Sequence, residues 1–332
     1  MKKSAYLFLL LLFVLSACEN EIPYRMDTVE PKLIMNALLE ADANQNIVYL
    51  NLSGSTGVKN ITEGSVTLYV NGEEKEVVVA ESEAWWDEDY RKICILKTRF
   101  HPGDVLRLEA VAEHGKYYSW AEVTVPYPVE SIKTDTLFTE MKINNFIQSC
   151  LQYKITFDDI PGQHNYYRLQ MKSGESRGDL PIPPDYLPDR YYYIDNIINW
   201  EDVVLTDGHI MTDDDNNYNI FDLSIQNKYN VFTDRLFEDA SYTLKVYVPH
   251  GFFNDNWSEF YRATWTVICL MSINEADYRY YRAMNCLESD NYDEMFMEPV
   301  IVPNNVEEGY GFVGASSACT DTMRVFYAPP SW

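Results

Sequence analysis

The chain has 332 residues and carries 26 Lys and Arg against 51 Asp and Glu, a formal net charge of −25. A polyanion of this size repels phosphate backbones and anionic head groups, so its bulk field excludes nucleic-acid binding. Hydrophobic residues make up 46% of the sequence, which excludes wholesale disorder, and the length suits two or more domains.

Lys2 and Lys3 precede an apolar run, Tyr6 to Leu15. That run is too short for a spanning helix of ~20 residues. It ends on Leu15-Ser16-Ala17-Cys18: an aliphatic residue, two small residues and a cysteine. This is a lipobox. The small residues admit the processing protease, the Cys18 thiol takes a diacylglycerol, and cleavage frees an amine for a further acyl chain. Residues 1–17 are therefore expected to be a lipoprotein signal peptide. Several acyl chains hold far more firmly than one, at ~0.8 kcal/mol per buried CH₂. No later segment approaches the ~18 apolar residues of a spanning helix. Glu19-Asn20-Glu21 resemble the surface-export signals of some outer-membrane lipoproteins, and the face of the membrane stays open.

Residues 18–31 read as a tether closing on Glu30-Pro31. From Lys32 the period becomes two, and residues 32–128 predict an Ig-like β-sandwich. Leu33-Ile34-Met35 opens a strand, and Asn46 to Leu52 alternates. Ser65–Val70 and Glu73–Val79 flank Asn71-Gly72, the pair that supplies the positive φ angles of a type I′ hairpin turn. His101-Pro102-Gly103-Asp104 turns into Val105–Val111, and Gly115-Lys116 turns into Tyr117–Val125. Short strands at this spacing suit a sandwich.

Residues 129–332 predict a second β-rich domain. Leu151–Phe157 alternates and ends at Asp158-Asp159, which precede Pro161-Gly162 and read as turn residues. Tyr166–Met171 is another strand, and the polar, proline-rich stretch 174–190 predicts a long loop. Tyr242–Val248 and Ala263–Leu270 read as paired strands. Ser272-Ile-Asn-Glu275 then has the form of a capping box, which predicts a helix near 273–287 with Tyr278, Tyr281 and Cys286 near one face. Residues 289–332 return to loop and strand. The overall class is mainly β with one C-terminal helix.

Tyr (26 residues), Phe (15) and Trp (7) are abundant. Aromatic side chains pack well on a pleated face, and Tyr keeps its hydroxyl wet. Trp85-Trp86 and Tyr191-Tyr192-Tyr193 are candidate stacking platforms for a sugar or peptide; covering a sheet is the plainer use of such clusters. Besides Cys18 there are Cys94, Cys150, Cys269, Cys286 and Cys319. Export permits disulfides, five thiols leave one odd, and Cys286–Cys319 is the favoured pair. No CxxC spacing supports zinc or thiol exchange.

Taken together, Cys18-Glu19, Glu30-Pro31-Lys32-Leu33, Phe100–Leu108, Gly115-Lys116-Tyr117, Val123-Thr-Val-Pro126, Phe232–Asp239 with Tyr242-Thr-Leu244, and Glu298–Asn305 with Glu308–Gly314 carry a resemblance. They resemble a lipoprotein family of unknown function, common in Bacteroidota and often encoded beside TonB-dependent outer-membrane receptors. Glu308 stands where that pattern has a glycine, and Pro303-Asn304 where it has a serine. The resemblance implies a β-sandwich lipoprotein serving outer-membrane uptake. It implies no catalytic residues and no ligand.

Gly309-x-Gly311-x-x-Gly314 formally matches a dinucleotide fingerprint. That fingerprint works only between a strand and a helix N-terminus, and β-type residues follow here, so close backbone approach is the better reading. Asp213, Asp215 and Asn217 alternate as oxygen ligands for Ca²⁺ would. Tyr218 and Ser224 stand where an EF-hand loop needs glycine and a bidentate Glu, so a solvated acidic turn competes with a calcium loop. The histidines show neither HxxxH nor HExxH spacing, and Gly-x-Ser-x-Gly is absent. The expected function is a non-enzymatic accessory or binding lipoprotein of the outer membrane, partnered by the membrane through its lipid and by a TonB-dependent receptor. A structural or adhesive surface protein is the alternative, ahead of an exported hydrolase.

Overall fold

The computed structural model describes residues 30–54, 57–83, 91–143, 146–183, 186–208, 225–249, 261–289, 291–292 and 297–327. Cys18, Trp85, Trp86 and the Asp213, Asp215, Asn217 stretch lie outside the described residues.

Among the described residues the molecule is mainly β, 56% strand against 5% helix, as the period-two patterning requires. The first half supplies β1 (Leu33–Glu40), β2 (Asn46–Gly54), β3 (Gly57–Asn60), β4 (Gly64–Val70), β5 (Glu73–Val79), β6 (Glu81–Glu83), β7 (Arg91–Leu96), β8 (Val105–Ala112) and β9 (Tyr117–Thr124). The second supplies β10 (Ile132–Ile143), β11 (Phe146–Asp158), β12 (Tyr166–Gly178), β13 (Tyr192–Tyr193), β14 (Val231–Thr233), β15 (Ser241–Pro249) and β16 (Tyr261–Ile273). A helix, Glu275–Leu287, and β17 (Val313–Tyr327) complete the described elements.

These strands form three sheets. The largest runs β13-β12-β16-β17-β1-β2-β7-β6, with β14 on β12 and β3 on β2. Two smaller sheets, β5-β4-β8-β9 and β10-β11-β15, accompany it. The β4–β5 hairpin turns on Asn71 and Gly72, both with positive φ, as the Asn-Gly pair demands.

The two largest apolar cores lie between the large sheet and each small sheet. In the first, Leu33, Met35, Leu39, Val48 and Leu50 of the large sheet pack with Val66, Leu68, Leu106 and Leu108 of the four-stranded sheet. In the second, Leu169, Met171, Ile268 and Leu270 pack with Ile155, Phe157, Leu244 and Val246 of the three-stranded sheet. The hand-over between the small sheets falls between β9 and β10, near the domain boundary expected at 128/129. The large sheet nevertheless crosses that boundary. Ala37–Glu40 of β1 run parallel to Val313–Ser316, and the rest of β17 pairs antiparallel with β16. Val313 and Ala315 belong to the first core, while Cys319 and Met323 pack against the second. Residues 32–128 therefore do not close the first sandwich by themselves.

Three local expectations are corrected. Tyr242–Val248 and Ala263–Leu270 do not pair with each other; β15 pairs with β11, and β16 lies between β12 and β17. Their shared apolar pattern reflects opposite walls of one core. The expected loop at 174–190 starts late, because β12 stays paired with β16 through Gly178. The helix is capped by Asn274 rather than Ser272, since β16 continues through Ile273. Asp277 then takes the reciprocal role, its Oδ2 accepting the Asn274 N–H at 3.3 Å.

The expected Cys286–Cys319 disulfide is also corrected: both are free thiols. Alternation along β17 is the reason. Cys319 points to the second core, whereas its neighbour Ala318 points to the opposite face, where Tyr278, Tyr280 and Tyr281 of the helix pack. The two cysteines thus belong to opposite sides of the sheet. Burial pushes the Cys94 thiol up to about 12 and raises Cys269 and Cys319, so these thiols stay protonated.

Candidate functional site

A pocket of about 650 Å³ opens where the helix N-terminus meets the β11–β12 turn. His164 and Tyr166 form one wall, Thr233–Leu236 another, and Val203, Val204, Asp207 and Gly208 a third; Glu275, Tyr278 and Arg279 of the first helical turns complete it. Tyr166 and Tyr278 set their rings 5.4 Å apart at its edge. Arg279 is tied to Glu275 at 2.5 Å, and Asp207 to Arg282 at 2.6 Å, so opposite charges brace the rim.

The walls are fixed by a buried polar network. Pro161-Gly162 reverses the chain after β11, with Gly162 at φ +80°. The Gly162 N–H donates to Asp239 Oδ1 at 2.8 Å, and the Asp239 N–H donates to Asp159 Oδ2 at 3.0 Å. Asp159 Oδ1 also accepts the Tyr167 hydroxyl at 2.6 Å and the Asn165 amide at 3.1 Å. Asp158 faces solvent while Asp159 is buried, so the two form no carboxylate pair; strand alternation separates them. Asp159 joins the 159–165 turn to the turn after β14, and this places His164 beside Asp234 and Glu238.

Asp234 is the unusual member. Its side chain has no solvent exposure. One oxygen, Oδ2, accepts the Asn165 N–H at 2.6 Å. The other, Oδ1, has no hydrogen-bond partner and lies 3.7 Å from His164 Nδ1. Glu238 Oε1 lies 3.2 Å from the same ring nitrogen. Sequence reasoning did not find this cluster, because residue 164 lies on a different turn from residues 234 and 238.

The aromatic reading is partly placed. Tyr192 and Tyr193 line a shallow groove of about 450 Å³ with Glu175, Tyr186, Asp189 and Arg190, and both rings are exposed. The Lys172 ammonium lies 4.9 Å from the Tyr193 ring centre. Tyr191 is exposed but does not line that groove. The glycine motif is structural: Gly311, at φ +120°, meets the Met35 carbonyl, and Gly309 lies against the Leu33 carbonyl and Ser119. The strand β17 follows them, so the backbone amides face β1 rather than a pyrophosphate.

The other described histidines face carboxylates: His101 meets Asp42 at 2.5 Å and His114 meets Glu63 at 2.6 Å, all largely exposed. Among the described residues no helix is long and apolar enough to cross a membrane.

Fold and pocket together define a multi-sheet β-sandwich protein with a helix packed on its largest sheet and a charged pocket at that helix's N-terminus. The chain belongs to the family described as a domain of unknown function (DUF4249), whose sequence profile matches residues 19–322. No curated protein matches the chain.

Proposed function

We propose that this protein is a lipid-anchored accessory protein of the outer membrane, held by acyl chains on Cys18. In this reading it binds a small polar ligand in the pocket at the helix N-terminus and works with a TonB-dependent receptor in nutrient uptake. It carries no chemistry of its own. The observation that carries the proposal is the lipobox at Leu15–Cys18, closing a short apolar run ahead of an acidic, mainly β body.

The pocket supports binding, since its volume and its mix of aromatic and charged walls suit a small molecule. The protonated thiols and the carboxylate-facing histidines give catalysis less support. The β10–β11 hairpin supports a protein partner. Its end projects Phe146 and Ile147, which are 76% and 75% exposed, and adjacent exposed apolar side chains are a common mark of an interface.

Cys18→Ser removes the thiol that takes lipid, so the variant should move from the envelope fraction to the soluble fraction. Immunoblotting of fractionated cells reads this. A serine variant that still sediments with membranes would end the anchoring claim. Receptor partnership is read by co-purification in mild detergent. Phe146→Ser combined with Ile147→Ser should leave the fold intact and cut receptor recovery about tenfold or more, the loss expected for exposed anchors of an interface. Unchanged recovery would remove the hairpin from the contact.

A further inference from the structure

We infer that His164, Asp234 and Glu238 form a binding site for one divalent transition-type cation, of which Zn²⁺ is the natural probe. The inference deepens the binding reading of the pocket by assigning it an ion.

The three side chains offer one ligand atom each, and those atoms all lie within 4.8 Å of one another. His164 Nδ1 stands 3.2 Å from Glu238 Oε1 and 3.7 Å from Asp234 Oδ1. Around tetrahedral Zn²⁺, bonds of ~2.0–2.1 Å place neighbouring ligand atoms ~3.4 Å apart, a value between these two distances. Three protein ligands with a further position left to water or a bound molecule is the usual open arrangement for this ion.

The independent observation is the unsatisfied oxygen. Asp234 is fully buried, and its Oδ1 has no hydrogen-bond partner although Oδ2 is held by a backbone N–H. Burying a carboxylate oxygen without a donor is costly, and a cation bound against it would remove that cost. Oδ1 lies beside His164, toward the centre of the trio. A simple ion pair is the competing account. It satisfies Glu238 through His164, but at 3.7 Å it leaves Asp234 Oδ1 without a hydrogen bond.

The ligand set selects the ion class. An imidazole nitrogen with two carboxylates suits Zn²⁺ or a neighbouring transition ion. Ca²⁺ and Mg²⁺ favour all-oxygen shells.

The test uses the full lipidated chain in mild detergent, stripped with EDTA and titrated with Zn²⁺ by calorimetry. One Zn²⁺ per chain is expected, with a rise in melting temperature, because an ion that binds only the folded state stabilises it. His164→Ala and Glu238→Gln alter exposed side chains and should fold. Each should weaken Zn²⁺ binding about tenfold or more, since each removes one of three protein ligands, and should abolish the melting shift. Absence of stoichiometric Zn²⁺ binding overturns the inference. So does binding that both variants retain, which would place the ion elsewhere, or binding of Ca²⁺ but not Zn²⁺. The titration reads the ion whether or not a receptor co-purifies, so failure of either reading is seen separately.

Discussion

A chain that stops before Val313 is expected not to fold. Strand β17 lies at the centre of the large sheet, parallel to β1 on one side and antiparallel to β16 on the other. Its removal exposes both neighbours as unpaired edges, and an exposed hydrophobic edge invites aggregation. It also strips Val313 and Ala315 from the first core and uncovers the second beside Cys319 and Met323. Full burial of a side chain such as valine is worth roughly 1.5–3 kcal/mol. A whole domain is held by only ~5–15 kcal/mol, so losing several such contacts together with a central ladder removes the margin. The expected result is loss of the cooperative thermal transition and rapid digestion by a dilute protease, in the N-terminal half as well as the C-terminal half. A truncated chain whose N-terminal sandwich still melts cooperatively would show that residues 32–128 are self-sufficient, contrary to the sheet order.

The second large effect is expected at Gly314 and Asp277, where the helix is fastened to β17. A Cβ on residue 314 would overlap the Asp277 carboxylate, lying 2.8 Å from its Cγ and 3.0 Å from a Phe312 ring carbon. Alanine for glycine in a strand ordinarily helps slightly by restricting the unfolded chain. Here the clash decides the sign. Asp277 is buried and its Oδ2 accepts the Asn274 backbone N–H at 3.3 Å, so it cannot move without leaving the helix cap unpaired. Gly314→Ala should therefore cost about 3 kcal/mol, the scale of overpacking at a buried polar site. On an Asp277→Ala background the same glycine change should cost far less, because the overlap is gone. Equal costs in the two backgrounds, measured by chemical denaturation, would rule out this contact as the cause.

Asp277 also gives stability a pH dependence. Burial raises its pKa from 3.8 to about 7, against the lowering effect of the N–H groups of Asn274 and Ala315. The folded state thus holds this proton more tightly than the unfolded chain does. The resulting stabilisation is complete below the unfolded value, and it is lost as pH rises through about 7. Inside that window each pH unit can remove up to ~1.4 kcal/mol. Asp277→Asn, which cannot ionise, should flatten this fall between pH 4 and 7. A variant that tracks the wild-type curve across that range would assign the dependence to other groups.

Much of the fold is legible because local chemistry determines it. Asn71-Gly72 needs positive φ at both positions, and the β4–β5 hairpin turns there. Alternation in Leu33–Leu39 and Val105–Ala112 sets one face toward a core, and those residues are the ones buried. Strand β10 is not legible because Ile132–Ile143 mixes Thr, Asp, Glu and Lys with few buried positions; its pairing with β11 is what holds it extended. The helix start reads two residues early, since Ser272 looks like a cap until β12 and β17 are seen to pair beside it. Of the candidate site residues, Tyr192 and Tyr193 lie exposed in a groove. The trio His164, Asp234 and Glu238 is invisible in the sequence, since no spacing rule links residue 164 to residues 234 and 238.

The sequence by itself determined the mainly β class, the strand periods, the main hairpin, the terminal glycines' need for close approach and the chemistry expected of Cys18. Each is fixed by a residue and its nearest neighbours, through φ, alternation or side-chain size. Only the tertiary structure decided that one sheet runs through both sandwiches, that β17 serves two cores, and that Cys286 and Cys319 lie on opposite sides of that sheet. It also set one oxygen of Asp234 beside His164 without a donor. Those outcomes depend on which distant strands pair, a choice made by burial summed over the whole core and written in no single stretch of chain.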